Sequence, residues 1–278
     1  MEKLKNNNLI VRLITSFLFT PFILLLFDYG SLPVLFFSAG LIAVLAYEFF
    51  YVLEAKGLEP YFKVGIAGSV LIAMVMYFTA PTKAYFFLTT IIIVLAVNEM
   101  TRKDNRLFIL HMSSTIFGII YTGWLGGHIL LVQRLSRDTF DSSILFFLTL
   151  FLVWMSDTGA YLIGMTIGRH KIIPRISPSK TYEGFFGGMI FTIVTTMIFR
   201  YLWLPCINPI DIILLGILAA SAGLAGDLVE SAMKRDAEMK DTANTLPGHG
   251  GVLDRFDSIL FALPMLYYYY IFILIPRL

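Results

Sequence analysis

The sequence predicts an all-α fold, a polytopic integral membrane protein of about nine transmembrane helices, and three observations lead there. Of the 278 residues, 58% are hydrophobic and only 14% charged, where a soluble domain carries about 25% charged residues. The mean hydropathy is +0.79. Apolar runs recur along the chain, several near the roughly 20 residues that a helix needs to cross a hydrocarbon layer of about 30 Å.

Taken in order, these runs place spans near residues 9–27, 32–53, 64–79, 85–96, 107–132, 144–165, 185–204, 212–233 and 259–275. The first has the length of a signal peptide's apolar core, but no small-residue cleavage site follows it and eight more runs do, so it reads as a membrane helix. The fourth is short, and the fifth is long and punctuated by glycine, so the count of nine depends most on these two. Lys and Arg accumulate in cytoplasmic connections, which tests the assignment independently. With the N-terminus inside, all but Lys83, Arg134, Arg137, Arg200 and Arg277 of the 21 Lys and Arg fall on the inner side. The expected orientation is therefore a cytoplasmic N-terminus and an outside C-terminus.

A net charge of +2 excludes a polybasic nucleic-acid binder, which needs a concentrated positive surface. The single cysteine, Cys206, excludes an intrachain disulfide and a cysteine-rich zinc site. No internal repeat, low-complexity tract or long linker divides the chain. One membrane domain over residues 1–278 is expected, with 1–143 supplying spans for packing or dimer contact and 144–278 the catalytic spans and cytoplasmic loops.

Two inner connections carry far more polar chemistry than a tether requires, a mark of functional loops. The first, residues 168–184, reads GRHKIIPRISPSKTYEG, and the second runs from about 235 to 253. Both lie on the inner face, where they can build one site. The helix entering the second reads AGDLVESAMKRDAEMKD, and its Asp227, Glu230, Ser231 and Lys234 follow the three- and four-residue spacing that stacks side chains on one helical face. Carboxylate and hydroxyl oxygens suit a hard cation such as Mg²⁺, and an ammonium suits phosphate oxygens. The same spacing also suits an ordinary amphipathic helix end with i, i+4 pairs. Asp227 lies toward the apolar side, where an ionisable group is costly and functional by default.

Beyond it, Lys240 and Asp241 precede LPGHGGVLDRFDS, where Gly248, Gly250 and Gly251 let backbone approach a ligand or simply form a turn. Asp254 and Asp257 share a helical face with Arg255 between them, and Asp at a helix start also serves as an ordinary cap. His249 suits a proton carrier or a phosphate donor, and equally a loop histidine with neither role. Upstream, WMSDTGAYLIG sets Ser156, Asp157 and Thr158 in a membrane run, where a carboxylate needs a partner or a cavity. Ser177, Ser179, Lys180, Thr181 and Glu183 follow Pro174 and around Pro178, which disfavour helix. Arg169, Lys171 and Arg175 suit topology and anionic headgroups as well as catalysis. Glu48, Asn98 and Glu99 suit a cavity or pairing between helices, while His111 and His128 read as packing residues and the run 267–270 as interfacial or packing aromatics.

The stretch SAMKRDAEMKDTANTLPGHGGVLDRFD, residues 231–257, resembles the signature of the phosphatidate cytidylyltransferases. Ser231, Lys234, Arg235, Lys240, Asp241, Ala243, Leu246, Pro247, His249, Gly250, Gly251, Asp254, Arg255 and Asp257 each meet a fixed position of that pattern. GDLVES, SDTGAY and ISPSKTYEGFFGG are similar to the same family, so the resemblance covers roughly the last 130 residues. It implies a homodimeric helical membrane enzyme that joins CTP to phosphatidic acid with Mg²⁺, giving CDP-diacylglycerol and pyrophosphate at a cytoplasmic site. A second, monovalent cation and a bacterial inner membrane location are further expectations.

On that basis Asp227 and Asp254 are expected to hold the metal, with Asp241, Asp257 and Ser231 as further ligands or orienting groups. Lys234, Arg235, Lys240 and Arg255 would neutralise the triphosphate, with His249 and Asp257 also counted among the catalytic groups. Asp157, Ser177, Lys180, Glu183, Gly250 and Gly251 would form the substrate pocket. The rivals are another CTP-using or CDP-alcohol lipid enzyme and an ion-coupled transporter. Transport fits less well, because the polar residues gather in two inner loops rather than in repeated halves at mid-membrane.

Overall fold

In the computed structural model the described residues are 31–79, 81–102, 106–135, 142–243, 245 and 250–277. They form eight helices and no strand, the nearest approach to a sheet being an isolated bridge between Lys171 and Thr181. The helices are α1 (Ser31–Ala55), α2 (Phe62–Phe78), α3 (Pro81–Met100), α4 (Phe108–Gln133), α5 (Ser142–Ile167), α6 (Tyr182–Leu202), α7 (Pro209–Asp236) and α8 (Leu253–Arg277). Seven of them are long and apolar enough to cross a membrane, and α2 is a shorter apolar helix of 17 residues. Outward-facing Phe86, Ile109 and Tyr201 are strongly exposed, as lipid-facing side chains are where a bilayer replaces water.

The expected span at 9–27 lies outside the described residues, so the count of nine narrows to eight described helices. The short fourth run is the core of a 20-residue helix, α3. The long fifth run is one helix whose middle, Ile119–Trp124, widens into a π segment, a local insertion that helices absorb without ending. Helix α7 starts at Pro209, three residues before its apolar run, because the Asp211 carboxylate accepts the Asn208 N–H at 3.0 Å and proline suits the first turn. Helix α8 starts at Leu253, six residues before its apolar run, so its polar first turns are part of the same rod.

Helices α1 to α4 pack mainly on one another, as do α5 to α8, and α4 and α1 join the groups by packing on α8. One apolar core runs through both, from Phe49 and Tyr121 to Leu260 and Tyr270. Tyr270, placed 3.1 Å from the Thr149 hydroxyl, is a packing residue between α5 and α8. Close helix approach depends on small residues. A Cβ on Gly159 would lie 2.8 Å from the Gly187 carbonyl oxygen, and one on Gly188 would lie 2.7 Å from that of Ser156. The glycines of SDTGAY and EGFFGG therefore hold α5 against α6, and with it the loop between them.

Candidate active site

That loop, residues 168–181, is folded by its own polar groups. The Glu183 carboxylate accepts the backbone N–H of Arg169 at 3.1 Å and of His170 at 3.2 Å, and it pairs with His170 Nδ1 at 2.5 Å. Thr181 caps α6 by accepting the Gly184 N–H at 3.1 Å, and Tyr182 N–H bonds to the His170 carbonyl at 2.9 Å. Ser177 is buried beside Ser179. These bonds leave Lys180 reaching away from its own loop, and its Nζ stands 3.1 Å from Asp227 Oδ2 on α7. The two polar segments of the sequence thus meet.

Around that ion pair the acids outnumber the cations. Asp157 on α5 and Asp257 on α8 both lie within electrostatic range of Asp227 and Lys180. Asp257 is buried and accepts the Ser258 N–H at 2.6 Å. A Cβ on Gly226 would lie 2.3 Å from the Asp257 carbonyl oxygen, so this glycine allows the backbones of α7 and α8 to touch where Asp227 and Asp257 stand. Asp227 Oδ2 is buried without a hydrogen-bond partner, despite the nearby ammonium. Among the described residues, three carboxyl groups thus share one lysine.

A second cluster lies one turn farther along both helices. Lys234 Nζ is 2.7 Å from Glu230 Oε2 and 2.7 Å from Asp254 Oδ1. Asp254 Oδ2 accepts the Gly251 N–H at 2.8 Å, the Thr242 N–H at 3.2 Å and lies 3.2 Å from the Thr242 hydroxyl. From α1, Glu48 accepts the N–H groups of Val252 and Leu253 at 2.8 and 2.7 Å. Gly250 takes a φ of 79°, in the region that favours glycine. A Cβ on Gly251 would sit 2.1 Å from the Thr242 hydroxyl oxygen and 2.6 Å from Glu48 Oε2. Beside Lys234 is a cavity of about 440 Å³, walled by Phe49 and Val52 of α1, Phe117 of α4 and Met233 of α7.

The structure brings together Asp157, Lys180, Asp227 and Asp257 in one cluster, and Lys234, Asp254, Gly250 and Gly251 in the other. Arg235, Lys240, Asp241 and Arg255 are exposed around the end of α7 and the start of α8, and Ser231 is half-buried on α7. His249 lies outside the described residues. Glu183 and Ser177 organise the loop, and the Gly251 amide is engaged by Asp254. Asp227 and Asp254, expected to share an ion, instead pair with different lysines. Among the described residues no group of three or more His, Cys, Asp or Glu side chains is arranged to hold a metal. Mg²⁺ commonly takes one or two carboxylates and completes its shell with water and substrate phosphate, a mode that suits Asp227, whose Oδ2 faces the Lys180 ammonium within electrostatic range of Asp257.

Sequence reasoning underweighted Glu48 and left out Thr242. A carboxylate in an apolar run was the available signal for Glu48, and Thr242 stands inside the signature itself. The family model described as the cytidylyltransferase family matches residues 10–273, and the chain belongs to that family. It is 32% identical over 268 residues to a phosphatidate cytidylyltransferase of Bacillus subtilis, covering 92% of this chain and 96% of that protein. Over 115 residues, 41% of this chain and 44% of the relative, it is 47% identical to a phosphatidate cytidylyltransferase of Staphylococcus epidermidis.

Proposed function

We infer that this integral membrane protein transfers the cytidylyl group of CTP to phosphatidic acid, forming CDP-diacylglycerol and releasing pyrophosphate. Family membership and a relative matched over nearly its whole length support the reaction. The structural observation that carries the site is the Lys180–Asp227 ion pair, which joins the two polar segments beside Asp157 and Asp257. A phosphate oxygen of phosphatidic acid attacks the α-phosphorus of CTP, and the bond from that phosphorus to the pyrophosphate oxygen breaks. Because both reactants bring their own phosphates, positioning and charge neutralisation suffice and no protein nucleophile is needed.

Asp227 and Asp257 would hold Mg²⁺, which when bound supplies positive charge to the triphosphate. Asp157 would lie beside them, and a monovalent cation could answer the remaining acid charge. Lys180 and Lys234 would place the reacting phosphates, while exposed Arg235, Lys240 and Arg255 would draw the nucleotide in and neutralise departing pyrophosphate. The apolar cavity beside Lys234 suits the diacylglycerol end of the lipid. The inner-face orientation and a homodimeric state belong to the same reading.

The test is detergent-purified protein given CTP, phosphatidic acid and Mg²⁺. CDP-diacylglycerol and pyrophosphate are expected in equal amounts, with both lost in EDTA and restored by added Mg²⁺. Release of CMP, or no lipid product from folded protein, would contradict the reading. Product formation unchanged in EDTA would remove the metal from it.

A further inference from the structure

Glu48 is a carboxylate that the reaction described above does not use, and it is fully buried. It lies in α1, outside the segments that carry the family signature, yet its partners are all found about two hundred residues later. Oε1 accepts the Val252 N–H at 2.8 Å and the Thr245 hydroxyl. Oε2 accepts the Leu253 N–H at 2.7 Å and lies 3.1 Å from the Thr242 hydroxyl. The N–H groups at a helix start have no partner within the helix, and a carboxylate there is favoured by the helix dipole. Glu48 therefore caps α8 from another helix.

The capped turn is held from its other side too. Asp254 accepts the N–H groups of Gly251 and Thr242 while pairing with Lys234. The Thr242 hydroxyl stands between the two carboxylates and has one proton to donate, so loss of either acceptor changes its bond to the other. Gly251 is enclosed by Thr242, Glu48 and Asp254, and any side chain there would meet them. The turn of residues 250–253 thus has its position fixed by α1 as much as by α8.

We propose that Glu48 is a positioning residue for cytidylyl transfer: it sets the start of α8, and so the reach of Asp254 to Lys234 and the placement of Asp257 one turn later. The proposal rests on the reaction inferred above, and makes the N-terminal spans part of the catalytic apparatus. Small displacements of reacting groups are expensive, a shift of about 1 Å costing on the order of 100-fold in rate, so the cap is expected to act on turnover rather than on substrate affinity.

The experiment uses the full chain in detergent, comparing wild type, Glu48→Gln, Glu48→Asp and Glu99→Gln for kcat, both KM values and melting midpoint. Glu99 is the control, a buried carboxylate bonded to His111 at 2.8 Å on α4 and away from the reacting groups. Gln at position 48 keeps the size but offers one acceptor oxygen to four donors. Its kcat should fall by roughly 10- to 100-fold, with each KM within about 3-fold of wild type. Glu48→Asp should recover part of that loss, and Glu99→Gln should lower the midpoint while leaving kcat per folded enzyme unchanged.

A folded Glu48→Gln protein with kcat within about 2-fold of wild type overturns the proposal. So does a loss of activity that only follows the folded fraction. If neither Glu48 variant folds, Thr242→Val decides, since it removes the hydroxyl between the carboxylates and leaves both backbone bonds to Glu48. A kcat lower by about 3-fold or more at an unchanged midpoint upholds the positioning role, and an unchanged kcat ends it. Wild-type protein that makes no CDP-diacylglycerol would refute the reaction itself, a separate result from any of these.

Discussion

Asp227 and Asp257 stand one turn from Glu230 and Asp254 on the same two helices, α7 and α8, with Asp157 of α5 joining the first pair and Glu48 of α1 the second, but the partners of the two sets differ in kind. Asp254 and Glu48 are met by backbone N–H groups, threonine hydroxyls and the Lys234 ammonium, so their charge is answered within the fold. Among the described residues Asp227 has one ammonium, 3.1 Å from an Oδ2 that makes no other polar contact, and it shares that ammonium's field with Asp157 and Asp257. Buried polar groups are normally satisfied. Glu230 Oε1, on the Lys234 side, is also buried without a hydrogen bond, so the contrast rests on Asp254 and Glu48, which are read as the frame, and on Asp227 with Asp157 and Asp257, read as the place where a cation and phosphates bind.

The strongest challenge to that division is Asp254→Asn, which should cost both turnover and stability. It removes one of two carboxylates from Lys234, which keeps Glu230, and an acceptor from the turn, and losing charged hydrogen bonds of this kind costs about 1.5–3 kcal/mol. Product formation should be lost and the melting midpoint should drop, whereas a normal midpoint would move Asp254 out of the frame. Gly251→Ala comes next. Its new Cβ meets the Thr242 oxygen and Glu48, so a thermal melt should show a loss of about 2 kcal/mol or more, with turnover falling alongside it.

Lys180→Met sharpens the other side of the comparison. It cuts the link between the 168–181 loop and α7, leaving three acids without their lysine, and kcat/KM should fall by roughly 100-fold. The midpoint should move less than for Gly251→Ala. Arg235→Gln has the smallest expected effect. Arg235 is exposed, so KM for CTP should rise by about 3-fold, corresponding to a surface interaction of under about 1 kcal/mol, and the difference should shrink as salt increases. An equal rise at low and high salt would argue against a screened charge contact.

Much of the bundle was legible from apolar run length, because a bilayer demands long runs and leaves few alternatives for satisfying backbone. The starts of α7 and α8 were not, since their first turns are polar and reading by hydropathy stops where charge begins. The signature pointed to Asp254 and Asp257, and the similar stretches upstream of it to Asp227 and Lys180, all near the two polar loops. It could not assign them to separate clusters, because a carboxylate that holds a turn and one that holds a cation have the same letter. The packing role of the glycines of EGFFGG has no signal in the sequence, and shows only when the Ala160 carbonyl oxygen of α5 is seen 2.8 Å from where a Gly184 side chain would stand. Glu48 was the least legible, because all four of its donors come from the far end of the chain.

The division between frame and reacting cluster is tested most directly by Asp227→Asn, measured for CDP-diacylglycerol formation and for melting midpoint in the same preparation. The account predicts that turnover falls by roughly 100-fold or more while the midpoint stays at the wild-type value or rises, because the substitution relieves repulsion among the acids. Retained turnover, or turnover lost only because the protein no longer folds, would contradict it.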